Sequence, residues 1–548
     1  MTLIRQNRAL AGAELPTGKP PFEKCSKIQL SVIRFWKRRS LAMGLGECPF
    51  VRGRWEGLAV ANSEWTFKTA RELSQALWAK QISALELTED AIAQIERHDA
   101  RINAICVRDF SRALGAARAA DEAIAKGEVR PLTGIPMTVK ESYNVGGLPT
   151  TWGFVQQKDF IAKEDALAVA RVKSAGAVVL GKTNVPAGLG DWQSYNEIYG
   201  TTNNPFDLGR TPGGSSGGSA AALAVGYGPL SLGSDIAGSL RAPAHFCGVY
   251  AHKPTFALIP SRGHTPPPYP PLPLEPDLAV VGPMSRSASD LSDLLDVIAG
   301  PDEIEAGRGY RLALPAARHT DIKAFRILVL ETHPLMPTAV SIRAAIDGLA
   351  EHLARSGAKL ARESELMPDL IGSSRLYMHL LRSFLAAVFP PHVYDNMKLE
   401  AANLQPDDVS LEAEMLRGAV LSHRDWVNCD RMRAGLRAQW RALFRDFDAV
   451  ICPIMPTSAY PHDHSPDQSG RRIVVDNQDF PYSNQLVWPG VASCPGLPAT
   501  SIPIGLSAEG LPIGVQIVGP WLEDRTPLKL AELIEKAHGG FVPPPGLA

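Results

Sequence analysis

Two glycine-rich turns constrain this chain more than any other feature: Gly213-Gly-Ser-Ser-Gly-Gly-Ser219 and Gly233-Ser-Asp-Ile-Ala-Gly-Ser-Leu-Arg241. The stretch from Gly209 to Gly248 holds 10 glycines, against 47 in all 548 residues. Glycine sits where backbone turns tightly or approaches another group closely. Two such turns presenting serines suggest exposed hydroxyls among free backbone N–H groups. Acyl transfer needs that pairing of a nucleophile with a cradle for an oxyanion.

Simpler readings of the same residues fail. A flexible Ser/Gly linker does not lead into a compact apolar run such as Ala220-Ala-Ala-Leu-Ala-Val225, which reads as a buried helix. A Walker phosphate loop ends in Gly-Lys-Ser/Thr, yet no lysine lies between Thr183 and Arg241. A Rossmann fingerprint follows a strand, whereas Asn203-Asn-Pro-Phe-Asp-Leu-Gly-Arg210 is turn chemistry.

At these residues the chain resembles the amidase signature family. That family's pattern runs Gly-Gly-Ser-Ser-Gly-Gly-Ser, then Gly-Ser/Thr-Asp-x-Gly-Gly-Ser-Ile-Arg, then a Cys-Gly segment ending Lys-Pro-Thr. The last is present as Cys247-Gly-Val-Tyr-Ala-His-Lys-Pro-Thr255, and the family's upstream lysine segment as Gly134-Ile-Pro-Met-Thr-Val-Lys140. Further matches are Gly181-Lys-Thr-Asn184, Val281–Arg286, Pro495–Ala499 and Gly510–Gly519. The likeness runs from about Trp65 to Pro544 in the family's order.

The resemblance implies hydrolysis of linear carboxylic amides to acid plus ammonia or amine, through an acyl-serine intermediate and a Ser–Ser–Lys chain. Ser239 is then the nucleophile, Ser215 the proton relay and Lys140 the base. A lysine serves as base only when neutral, so burial must lower its pKa. Glu141 follows directly, but along a strand it points to the opposite face. The oxyanion hole falls to the backbone N–H groups of Ile236, Ala237, Gly238 and Ser239. Ala237 stands where the family usually has glycine, and alanine tolerates positive φ less well. His252 stands where the family more often has leucine, and is read as packing.

Asp235, Arg241 and Ser216 are read as loop supports: the resemblance makes Asp235 a buried hydrogen-bonding residue, and Arg241 either pairs with it, the favoured reading, or touches a polar end of the substrate; Ser219 is a further loop-stabilising hydroxyl. His462-Asp-His464 has the look of a metal pair, but it lies in a Pro/Ser/Asp loop without a third ligand and reads as a solvated loop. No metal and no cofactor are expected.

Lys+Arg 56 against Asp+Glu 57 leaves a net charge of −1, which indicates no attraction to nucleic acid or to an anionic membrane. Seven scattered cysteines without Cys-x-x-Cys spacing read as thiols in a reducing, cytoplasmic setting. The expected partner is a small-molecule amide; a homodimer is left open.

Residues 1–63 carry no family match. They read as a poorly ordered extension, with Met43 as an alternative start. Residues 64–545 read as one α/β domain with 134–255 as its catalytic core. Ser83-Ala-Leu-Glu86 is a capping box opening a helix. A helix over 165–174, a strand over 177–180, strands at 501–504 and 514–518 and a helix opening at Thr526-Pro527 follow from pattern and punctuation. Such alternation implies a large, mixed, twisted β-sheet covered by helices on both faces. Residues 303–445 are mainly helical, with a strand at Phe325–Leu330 and a helix at Val340–Ser356, and frame the substrate pocket in the family. Leu376, Tyr377, Leu380, Leu381, Phe384, Phe389 and Tyr394 line either that pocket or the core, with core favoured by their helical spacing. Two other functions share these motifs: the glutaminase (A) subunit of a tRNA-dependent amidotransferase, and a non-catalytic protein of the same fold. Arg241-Ala-Pro-Ala-His245 departs from the Arg-Gln-Pro-Ala associated with that glutaminase. Keeping Lys140, Ser215 and Ser239 together argues against a silent copy.

Overall fold

A computed structural model describes residues 63–547; the readings of residues 1–62, including Met43 as a start, lie outside the described residues. Eleven strands form one sheet. In chain order they are β1 (Ile105–Arg108), β2 (Pro136–Lys140), β3 (Val178–Thr183), β4 (Leu230–Asp235), β5 (Tyr250–Lys253), β6 (Val280–Ser285), β7 (Arg326–Val329), β8 (Lys359–Ala361), β9 (Ala449–Pro453), β10 (Ala499–Leu506) and β11 (Pro512–Val518). Across the sheet the order is β1-β3-β2-β4-β6-β5-β10-β11-β9-β7-β8. The sheet is mixed: β3, β2 and β4 run parallel, as do β9, β7 and β8, and the strands between them are antiparallel.

Every residue of β2, β3 and β4 is buried. Strands sandwiched between helical layers have no solvent face, so the polar members of these three, Lys140, Lys182, Ser231 and Asp235 among them, are taken from water and need partners inside the fold. The helices that matter below are α1 (Ala84–Ile102), α2 (Leu167–Ser174), α3 (Gly217–Val225), α4 (Arg241–Cys247), α5 (Val340–Arg355), α6 (Leu370–Ala386), α7 (Pro391–Ala402), α8 (His423–Asp446), α9 (Val487–Ser493) and α10 (Arg525–His538). Ala220, Leu223 and Ala224 of α3 pack with Leu240, Ala244 and Cys247 around α4 in a small core of their own, distinct from the main one.

The capping box is present: the Glu86 N–H donates to Ser83 Oγ at 3.1 Å and the Ser83 N–H to Glu86 Oε2 at 2.9 Å. The helix read from residue 165 starts at Leu167 instead. Asp165 stays outside because its carboxylate accepts from the Gly146 N–H at 2.8 Å and from Lys173 Nζ. The strand read at 177–180 extends to Thr183. The 325–330 and 340–356 elements appear as β7 and α5.

Candidate active site

The parallel strands β2, β3 and β4 end on one side of the sheet, and crevices beyond the carboxyl ends of parallel strands are where α/β folds bind ligands. Val139 pairs with Leu232, so Lys140, the last residue of β2, reaches the end of β4. There Lys140 Nζ lies 2.7 Å from Ser215 Oγ and 2.9 Å from Ser234 Oγ. Ser215 precedes α3, and its approach requires Gly214, where any Cβ would collide with the Asp191 carbonyl. Lys140 and Ser215 are fully or almost fully buried.

Burial holds the Lys140 pKa well below the ordinary lysine value, and the field of Asp235 opposes this only in part. Glu141 does not pair with it. Its carboxylate accepts from the N–H groups of Thr151 at 2.6 Å and Trp152 at 3.0 Å. A neutral amine has two N–H donors and one lone pair. With one N–H on Ser234 Oγ, the lone pair is free to accept the Ser215 hydroxyl.

Ser239 lies at the foot of α4, only 5% exposed. Its carbonyl accepts the Ser216 N–H at 3.2 Å, which brings the two serine loops side by side. The Ser239 hydroxyl itself makes no hydrogen bond among the described residues, so the structure joins Lys140 to Ser215 but does not close the link from Ser215 to Ser239.

The four-donor oxyanion hole needs correction. The Gly238 N–H already donates to Asp235 Oδ1 at 2.8 Å, which leaves the N–H groups of Ile236, Ala237 and Ser239. The concern over Ala237 also falls away. The left-handed residue of the loop is Gly238, at φ +93°, and Ala237 is not among the positive-φ residues.

Asp235 and Arg241 pair in full burial. Arg241 donates through Nε and one terminal nitrogen to both Asp235 oxygens, and its other N–H groups reach Ser493 Oγ, the Pro489 carbonyl and Gln516 Oε1. All five guanidinium donors are thereby used within the protein. Burial alone would raise the Asp235 carboxyl; the Arg241 charge and hydrogen bonds outweigh it and bring its pKa to about 2. Ser216 Oγ ties to the backbone of Ser234, and Ser219 Oγ to Thr183 Oγ1.

His252 does more than pack. Its Nδ1 lies 2.9 Å from Thr500 Oγ1 and its Nε2 3.2 Å from Asp524 Oδ1, in full burial. His462 Nε2 lies 3.1 Å from Asn203 Oδ1, His464 stacks on Tyr195, and the two rings stand 5.3 Å apart.

Three supports of the site escaped sequence reasoning. Ser234 carried a faint signal, a hydroxyl inside Gly233-Ser-Asp235. Trp192 carried none, yet its Nε1–H donates to the Ala237 carbonyl at 2.8 Å. Tyr377 read as core and is buried, but its hydroxyl donates to the Ile236 carbonyl at 2.8 Å. Of the other apolar α6 candidates, Leu376, Leu380 and Leu381 are core.

The fold is a mixed eleven-stranded α/β sheet with hydroxyls and a buried amine gathered at its strand ends. The Amidase family model matches residues 86–528, and the chain belongs to the amidase signature family. It is 30% identical over 505 residues to fatty-acid amide hydrolase 2-A of Danio rerio, covering 87% of this chain and 90% of that protein. It is 31% identical over 497 residues to the (A) subunit of glutamyl-tRNA(Gln) amidotransferase from Anaeromyxobacter sp. (strain K), covering 87% and 97%. Among solved structures, 6-aminohexanoate cyclic dimer hydrolase complexed with substrate superposes with TM-score 0.69 at 27% identity, covering 88% of this chain and 99% of that one. Among the described residues no helix is long and apolar enough to cross a membrane.

Proposed function

We propose that this protein hydrolyses linear carboxylic amides through an acyl-Ser239 intermediate. One observation carries the reading: a fully buried Lys140, its pKa lowered by burial, hydrogen-bonded to Ser215 beside the loop that bears Ser239. Ser239 Oγ attacks the amide carbonyl carbon. Its proton passes to Ser215 Oγ as the Ser215 proton passes to neutral Lys140 Nζ. The negative charge on the carbonyl oxygen is held by the N–H groups of Ile236, Ala237 and Ser239, each such donor being worth roughly 2.7–4 kcal/mol in known hydrolases. The relay then returns the proton to the departing nitrogen as the C–N bond breaks. Water, activated through the same chain, releases the acid and restores Ser239.

The saturation of Arg241 supports a structural role rather than a substrate anchor. Labelling with a fluorophosphonate, mapped by mass spectrometry, tests the nucleophile: attachment is expected at Ser239 and absent in Ser239→Ala, whereas attachment at Ser215 or Ser216 would refute the assignment. The likeness to an amidotransferase component sustains a second reading, in which glutamine turns over only when partner proteins are present. Turnover of simple aryl or aliphatic amides by the purified chain alone, unaffected by EDTA, separates the two.

A further inference from the structure

A trans peptide directs its C=O and N–H to opposite sides, so whatever grips a carbonyl also aims the next residue's N–H. The peptides of the Ile236–Ser239 loop are trans, and three successive carbonyls in it are gripped. Tyr377 Oη–H holds the Ile236 carbonyl at 2.8 Å, Trp192 Nε1–H holds the Ala237 carbonyl at 2.8 Å, and the Ala242 N–H holds the Gly238 carbonyl at 2.7 Å. The grips on Ile236 and Gly238 point the N–H groups of Ala237 and Ser239 away from the protein's own acceptors. The grip on Ala237 turns the Gly238 N–H onto Asp235.

We infer that Tyr377 and Trp192 are positioning residues of the oxyanion cradle, acting through the Ile236 and Ala237 carbonyls; this rests on the acyl-serine reading above. Each is itself locked. The Tyr377 ring lies against Gly490, where an added Cβ would stand 2.7 Å from Cδ1, and the adjacent Pro489 packs on Gly238. Trp192 is fixed by its neighbour Asp191, whose carboxylate takes Arg471 at 2.5 Å and the Tyr482 hydroxyl at 2.8 Å. Because Tyr377 sits on α6, the variable helical region bears on the alignment of the Ala237 donor, and Trp192 fixes the next peptide from an independent segment. The hydroxyl of Tyr377, not its ring, is the working part, and the same holds for the indole N–H of Trp192.

Tyr377→Phe keeps the ring and removes one hydrogen bond. It is expected to lower kcat about five- to ten-fold, with KM within about two-fold and Tm nearly unchanged. The rate of inactivation by a fluorophosphonate should fall in parallel, because that reaction builds charge on the same oxygen. Trp192→Phe, which frees the peptide whose N–H serves Asp235 rather than the cradle, should lower both rates in the same direction but less, and Gly490→Ala, which displaces the Tyr377 ring, should reproduce the kcat loss even if Tyr377→Phe folds poorly. Wild-type kcat and inactivation rate in Tyr377→Phe or Trp192→Phe, alongside an inactive Ser239→Ala, overturn this inference alone. A raised KM at constant kcat marks the side chain as a substrate contact and overturns it too. An active Ser239→Ala overturns the acyl-serine reading and this inference with it.

Discussion

The strand-end loops and the helical region at 303–445 are built by different rules. Around Lys140, Ser215 and Ser239 nearly every position is buried, all of α3 and α4 included, and the polar groups named above answer to specific partners, save the Ser239 hydroxyl and the N–H groups of Ile236, Ala237 and Ser239. In the helical region α6 buries one face, while α7 has no buried residue at all. The first region tolerates little because a charge or N–H taken from water must find a partner. The second is held by apolar area on one side and is free on the other. Function that depends on alignment belongs to the first, and variation in what is bound can be absorbed by the second. Tyr377 crosses between them.

The sharpest way to break this contrast is at Lys140. Lys140→Arg places a permanent charge where the neutral amine stood and cannot accept a proton, and its turnover is expected to fall roughly 10²–10⁴-fold, the ordinary worth of a general base. Near-normal turnover with an unchanged pH profile would remove Lys140 from the mechanism. In the wild type, activity should rise with pH along a limb that reports Lys140 deprotonation. Stability follows the same group. Its folded pKa lies below the ordinary 10.5, so between those values the unfolded chain binds the extra proton and stability rises with pH. Lys140→Met lacks that dependence. It should be the more stable protein at neutral pH, with an advantage that shrinks by about 1.4 kcal/mol per pH unit on approaching 10.5. Urea unfolding at several pH values checks this, and a constant difference would mean Lys140 is charged in the fold.

Arg241 is next. Removing one partner of a buried pair leaves an uncompensated charge, so Arg241→Met should destabilise by about 3–5 kcal/mol. It strands the Asp235 carboxylate together with Gln516 Oε1 and the Pro489 carbonyl. Denaturant midpoints measure it. A loss below about 1 kcal/mol would show that the network is replaceable, and the contrast between the two regions would lose its main support.

What was legible in the sequence follows the same division. The motif glycines could be read because close approach admits nothing else: at Gly214 a side chain meets the Asp191 carbonyl, and Gly238 takes a left-handed φ of +93°. Lys140, Ser215, Asp235 and Arg241 came with those motifs, and the Asp235–Arg241 pairing stands. The fate of individual N–H groups did not come with them. Nothing in Asp-Ile-Ala-Gly-Ser says that Asp235 will take the Gly238 donor, since that depends on the turn in three dimensions. Nor could periodicity separate Tyr377 from Leu376 or Leu380: all three lie on the inner side of α6, and only the hydroxyl's reach distinguishes one. The hydrogen bonds of the buried His252 are hidden from sequence for a related reason. Its partners Thr500 and Asp524 lie far along the chain, and sequence offers no view of such pairings.

The smallest effect is expected on α7, where the contrast can be sharpened. Leu399 is 67% exposed there, so replacing it removes little buried apolar area and breaks no hydrogen bond of its side chain. Leu399→Lys should therefore change stability by no more than about 0.5 kcal/mol, as surface substitutions away from caps and networks do. It should also leave kcat and KM for a small amide unaltered. A loss of several kcal/mol in a chemical unfolding experiment would mean that α7 is covered in solution, by a second copy or by another part of the chain. The helical region would then be as tightly determined as the strand-end loops, and the division drawn between alignment and accommodation would have to move elsewhere in the fold.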